Sequence, residues 1–224
     1  HLAPLKGGET PLCDFRKVAA DMDPAIKAEF KERGVRHVRN YNSLKDKNKL
    51  TLWQLKRWDE LFGTTDPEEV TAKLKAEGTA FEWLPGGKLR IINPRPAFQT
   101  HPETGEEVWF NHLQVFHRDA AEIEYEHIIN HDKGLRNYLV NGLVHVLTSI
   151  KRNRVNPMQL HMHVQYGDGG EIPKHVVEHI QSLIWKHLRI EPWQRGDVLL
   201  IDNNSTSHGR LPYSGARDIM VAWA

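Results

Sequence analysis

The sequence predicts a mixed α+β fold, a β-sandwich or jelly roll with helices inserted between and beside its strands. Three observations carry this expectation. Strand-forming stretches flank two tight turn sequences, Pro85-Gly86-Gly87 and Pro102-Glu103-Thr104-Gly105, as in hairpins. Val176, Ile180, Leu183, Ile184 and Leu188 recur at helical spacing between Pro173 and Leu188. A short apolar run, Val198-Leu199-Leu200-Ile201, follows the Gly196-Asp197 turn and suits a buried strand.

In chain order, Pro11 to Met22 reads as helical, and Asp23-Pro24 starts a second helix that Gly34 ends after Arg33. Val35 to Tyr41 reads as a strand, with Val35, His37 and Arg39 on one face. Asp66-Pro67-Glu68-Glu69 is a helix start: Asp66 caps, Pro67 fits the first turn, and the acids meet the positive helix end. That helix stops near Gly78. Thr79 to Leu84 and Lys88 to Asn93 form the first hairpin, and Val108, Trp109 and Phe110 lie in the return strand of the second. Ala120 to Arg152 is helical with a break near Asp132-Lys133-Gly134, and Ala216 to Ala224 closes the chain as a strand.

The 224 residues suffice for one large domain, and 39% hydrophobic with 26% charged residues is a globular composition. Lys+Arg at 30 against Asp+Glu at 29 leaves no strong field, which argues against nucleic acid or an anionic membrane as partner. Cys13 is the only cysteine, so no intramolecular disulfide forms and a reducing, cytoplasmic setting is expected. No apolar run approaches the roughly 20 residues that span a bilayer. Oligomeric state is not readable.

The chemistry concentrates near the end of the chain. The apolar run delivers His208 into a polar turn, where a neutral imidazole is a natural metal ligand. Arg217 sits on the next strand, and arginine grips a carboxylate through two parallel hydrogen bonds. A metal and a dicarboxylate held together would explain both; a surface histidine and a salt-bridged arginine would do so as well.

The wording of several segments narrows the choice. Gly7-Gly8-Glu9-Thr10-Pro11, Trp109-Phe110-Asn111, Gly167-Asp168-Gly169, Pro192 to Asn203 and His208 to Arg217 together resemble the TauD/TfdA family, and more closely its clavaminate-synthase-like branch. The resemblance covers nearly the whole chain. It implies a double-stranded β-helix, a form of jelly roll, in a single oxygenase domain over residues 1–224. It also implies a dioxygenase using Fe(II), the cosubstrate 2-oxoglutarate and O₂ on a small-molecule substrate, with iron on a 2-His-1-carboxylate face. By that resemblance His208 is the distal iron histidine, Arg217 pairs with the far carboxylate of 2-oxoglutarate, Thr10 assists it, and Phe110 and Asn111 lie near the substrate. The expected outcome is hydroxylation of an unactivated C–H bond in a small acid or amino-acid-like molecule.

The family's His-x-Asp or His-x-Glu pair is absent from His1 to Glu9, so an upstream segment supplying a histidine and a carboxylate is expected. Two other classes compete. His161 and His163 are spaced to share a strand face, and with His208 would make a cupin-like three-histidine metalloprotein; among 14 histidines a chance pair is the favoured account. Alternatively, a jelly roll short of iron ligands would serve as a catalytically inactive binding module. Trp193 reads as a packing residue, and Asp202-Asn203 as the turn that orients His208.

Overall fold

A computed structural model describes residues 6–44, 56–131, 133–215 and 220–222. In chain order these form β1 (Lys6–Gly7), β2 (Leu12–Asp14), α1 (Phe15–Asp21), α2 (Pro24–Arg33), β3 (Val35–Tyr41), α3 (Trp58–Phe62) and α4 (Pro67–Ala76). There follow β4 (Ala80–Leu84), β5 (Lys88–Arg95), β6 (Phe98–Thr100), β7 (Glu107–Trp109), α5 (Leu113–Phe116), α6 (Ala120–His131) and α7 (Leu135–Arg154). A 3₁₀ turn at Pro157–Gln159, β8 (Met162–Tyr166), α8 (Lys174–Lys186), β9 (Leu188–Arg189), β10 (Thr206–His208) and β11 (Tyr213–Ser214) complete them. The mixture of helix and sheet is as expected. Contacts divide it into two compact units: residues 1–27, 98–110 and 179–224 in unit one, residues 28–97 and 111–178 in unit two.

Unit two is built on an antiparallel sheet of order β4–β5–β3–β8. β3 is central, with Val38 facing Ile92 on one side and His163 on the other. Its apolar cluster joins Tyr41, Trp58, Val70, Leu74 and Leu89. Two indoles meet edge to face at 5.2 Å, Trp58 with Trp83. Each also places its N–H, on the Gly87 carbonyl and the Thr71 hydroxyl, both at 2.9 Å; aromatic bulk is thus buried without stranding a donor. Asp66 caps α4 by accepting from the Glu68 N–H at 2.9 Å, as its sequence position implied.

The Gly167-Asp168-Gly169 turn follows β8 and clasps the end of α2. Gly167 donates its N–H to the carbonyls of Arg33 and Gly34 at 3.1 and 3.2 Å. A Cβ at Gly167 would lie 2.2 Å from the Arg33 carbonyl oxygen, so only glycine allows this approach. Asp168 takes both faces of the Arg33 fork at 2.8 and 3.0 Å, and the guanidinium lies 3.7 Å over the Tyr166 ring.

Among its described residues, unit one holds three small antiparallel sheets: β1–β11, β10–β2–β9 and β6–β7. The second hairpin forms as expected, while Pro11 to Met22 divides into β2 and α1 rather than one helix. Asp14 serves both elements: it lies in β2 opposite Thr206 and caps α1 by accepting from the Arg16 N–H at 3.0 Å. The run Val198–Ile201 departs from expectation. It forms no strand, and Val198 and Leu200 are 87% and 93% exposed. Burial of a strand requires a ladder partner, and among the described residues the run has none; of the closing strand expected over Ala216 to Ala224, residues 220–222 form no strand and the rest lies outside the described residues.

Candidate active site

The two segments that carry the expected chemistry are zipped together in unit one. His208 stands opposite Leu12 in the β10–β2 register. Beyond the strand the pairing continues: Gly209 donates its N–H to the Pro11 carbonyl, Leu211 to Glu9, and Gly8 to Pro212, each at 3.1 Å. Gly7 closes the zipper at a positive φ of 76°, and a Cβ there would stand 2.5 Å from the Pro212 carbonyl oxygen. The glycines before Thr10 are therefore what lets the Thr10 turn lie against the segment after His208.

Thr10 is half-buried and His208 exposed. The Trp193 indole N–H donates to the Thr10 hydroxyl oxygen at 3.1 Å. A hydroxyl that accepts in this way keeps its own proton for a second partner, so Trp193 aims Thr10 as a donor. Trp193 is more than the packing residue its sequence position suggested.

The turn before His208 is organised by Asp202. Its carboxylate accepts from the Ser205 hydroxyl at 2.6 Å and the Asn204 N–H at 2.9 Å, and meets His101 Nε2 at 2.7 Å. His101 Nδ1 accepts the N–H groups of Glu103 and Thr104, so its proton sits on Nε2 and points at Asp202. Hydrogen bonds from Ser205, His101 and Asn204 hold the Asp202 carboxyl down at about 2. The turn-orienting role expected of Asp202 thus has a geometry, and it ties the Pro102–Gly105 turn to the turn that presents His208.

Against this geometry, the family model described as taurine catabolism dioxygenase TauD, TfdA family, matches residues 1–223. The chain belongs to the TauD/TfdA family. The dapdiamide synthesis protein DdaC of Enterobacter agglomerans is 36% identical over 222 residues, 99% of this chain and 58% of that protein. A clavaminate synthase-like protein of Arabidopsis thaliana is 25% identical over 226 residues, again 99% of this chain and 58% of its own length. The chain therefore spans 58% of the length of the curated relatives it matches, and its similarity includes the clavaminate-synthase-like branch.

Of the residues expected from the TauD/TfdA pattern, the structure brings Thr10 and His208 to neighbouring strand ends, while Arg217 lies outside the described residues. Phe110 is 38% exposed. Asn111 is buried and its side chain serves the backbone: the amide donates to the Ala97 carbonyl at 3.0 Å, and the oxygen accepts the Leu113 N–H at 2.9 Å. Among the described residues His208 joins no cluster of three ligating groups. A single imidazole does not hold iron by itself.

Two clusters of ligating side chains do occur among the described residues, both in unit two. Glu122, Glu126 and His145 form one, but Glu122 is already engaged by Arg152 and Lys174. The other is His117, His163 and Glu171. Burial, and then the neighbouring His163, push His117 down to about 4, and burial likewise lowers His163; both imidazoles are neutral at pH 7. Burial alone would raise Glu171, but hydrogen bonds from Gln165 and His163 outweigh it and keep the carboxyl below its ordinary range. The spacing of His161 and His163 did not foretell this. His161 lies before β8, its Nδ1 3.5 Å from the Asn40 carbonyl, and it takes no part in the cluster. A His-x-Asp pattern at His117 and Asp119 was the available signal in the sequence, yet Glu171 is the carboxylate that joins.

Proposed function

We propose that this chain is a single oxygenase domain, residues 1–224, of a cytoplasmic Fe(II)/2-oxoglutarate-dependent dioxygenase with the jelly-roll core of its family. Its expected reaction is hydroxylation of an unactivated C–H bond in a small acid or amino-acid-like molecule. The observation that supports this reading is the zipper of Gly8–Leu12 against His208–Pro212, which joins the chain segment holding Thr10 to the one holding His208. The family match supports the cofactors, and a relative named for dapdiamide synthesis supports a biosynthetic small-molecule substrate.

Each residue has a defined task. His208 contributes one neutral nitrogen to iron. Arg217 binds the far carboxylate of 2-oxoglutarate through its planar fork. Thr10, its oxygen occupied by Trp193, donates its proton to the same carboxylate. Phe110, partly exposed at the end of the β7 strand, offers an apolar wall to substrate, and Asn111 shapes the backbone behind it. When bound, iron supplies the oxidising chemistry that couples decarboxylation of 2-oxoglutarate to oxidation of the substrate.

The test is an anaerobic titration of the full protein with Fe(II) and 2-oxoglutarate, following the visible charge-transfer band of the chelate. The band is expected in the parent and absent in His208→Ala. A parent protein without the band would instead be the binding module, a reading favoured by His208 joining no group of three ligating side chains among the described residues.

A further inference from the structure

Unit two buries a pair of imidazoles that the oxygenase reading leaves unused. His117 follows α5 and His163 lies in β8; their ring centroids are 5.2 Å apart, and both side chains are 0% exposed. The glycine turn after β8 reverses the chain and returns Glu171 to the flank of the same strand, with its Oε2 3.0 Å from His163 Nε2. One ligating atom from each of the three residues lies within 4.8 Å of the other two. His117 Nε2 and His163 Nδ1 are both buried and unpartnered, although buried polar nitrogens are ordinarily satisfied.

The surroundings also suit an ion. Metal-bound side chains are generally fixed by outer partners that set their orientation and tautomer. The Asp119 carboxylate lies 3.7 Å from His117 Nδ1, and its other oxygen is gripped by Arg152 at 2.9 and 2.7 Å. At present His117 Nδ1 accepts the Asp119 N–H at 3.2 Å. An ion on Nε2 would move the ring proton to Nδ1, where that carboxylate stands ready to accept it. On the other side Glu171 accepts a short hydrogen bond from Gln165, whose own oxygen is held by Arg36 at 3.0 and 2.8 Å. The Glu171 side chain is 39% exposed, which gives an ion a way in. His117 also lines a cavity of about 590 Å³ with Phe116, Asp119, Tyr125, Arg152 and Met162.

We propose that His117, His163 and Glu171 bind one divalent ion of the zinc class, with no ligand drawn from His208. Two neutral imidazoles and one carboxylate match the preference of such ions for nitrogen with a single hard oxygen, and three protein ligands leave a position for water or a small anion.

The test uses the full protein carrying His208→Ala, stripped with chelator, so that the iron site proposed above has lost a ligand; the variants below separate any remaining binding there. Titration with Co(II) should give a visible d–d band saturating at one ion per chain. Glu171→Gln retains an oxygen for His163 but lacks the charge; it should weaken Co(II) binding at least 100-fold, and His117→Gln should do the same from the opposite side. Zn(II) should raise the melting temperature of the His208→Ala protein and leave that of either double variant unchanged. Absence of the band in the His208→Ala protein, or Co(II) binding by both double variants as tight as its own, would overturn the proposal. Neither result would bear on the 2-oxoglutarate titration, which is read in protein with His208 intact.

Discussion

Thr10 shows how one side chain acquires a direction. Its oxygen accepts from Trp193, which leaves its proton for a partner. Replacing Trp193 by Phe keeps the ring and deletes the donor. The expected result is a 2-oxoglutarate Kd raised roughly two- to tenfold, as for loss of one ordinary hydrogen bond of about 0.5–1.5 kcal/mol. Melting temperature and the KM for the prime substrate should stay where they are, and a calorimetric titration beside a melt would separate these from a general packing defect. Arg217→Ala should weaken 2-oxoglutarate more, by about 1.5–3 kcal/mol for a charge-assisted contact; an unchanged 2-oxoglutarate requirement would remove Arg217 from the site. Thr10, His208 and Trp193 could each be singled out in the sequence because each sits inside a segment that resembles the family. The partner of Trp193 and the contacts of His101 and Glu171 were not legible, because they depend on which distant atoms the fold brings to them.

At the scale of elements, legibility followed local signals. The Asp66 cap, the Gly34 stop, the Pro85–Gly87 hairpin and the α8 periodicity are each decided within a few residues, and each stands where the sequence put it, except that Leu188 leaves the helix for β9. Val198–Ile201 failed because apolar composition says only that a segment can be buried, while a ladder partner decides whether it is. The Gly167 turn was recognisable as a motif but not as a clasp. Gly167→Ala would drive a Cβ into the Arg33 carbonyl at 2.2 Å, against backbone that has no easy retreat. We expect a loss of about 1–3 kcal/mol or more, typical of overpacking, visible as a lower urea midpoint. Because the same turn returns Glu171 to His163, the substitution should also weaken Co(II) binding at the buried cluster.

The molecule as a whole carries an acid liability. Burial, then the charges of Arg39 and His112, hold His37 down at about 4 against an ordinary 6.5. Between these values the unfolded chain takes up a proton that the folded chain refuses. The contribution of His37 to stability is therefore complete above pH 6.5 and is lost as pH falls towards 4. For one such imidazole the loss is on the order of 3 kcal/mol. Melting temperature should drop steeply between pH 7 and pH 4.5, and His37→Leu should flatten part of that drop. A melting temperature independent of pH over this range would show that His37 is solvated in solution.

The pairing of residues 12–14 with 206–208, and of Gly7 with Tyr213, has a consequence in time. A ribosome releases the Thr10 segment long before it has made His208, so the early strand waits with its edge bare while the rest of the chain is synthesised. Contacts this distant in sequence form late and slowly, and unpaired edges in waiting are where chains stick to one another. Unit two shares the difficulty, since its central β3 pairs with β8 more than a hundred residues later, while the β4–β5 hairpin and the α6–α7 pair are local and can be in place first. Expression at low temperature or with a holdase chaperone should therefore raise the yield of folded protein more than any change to the active site would.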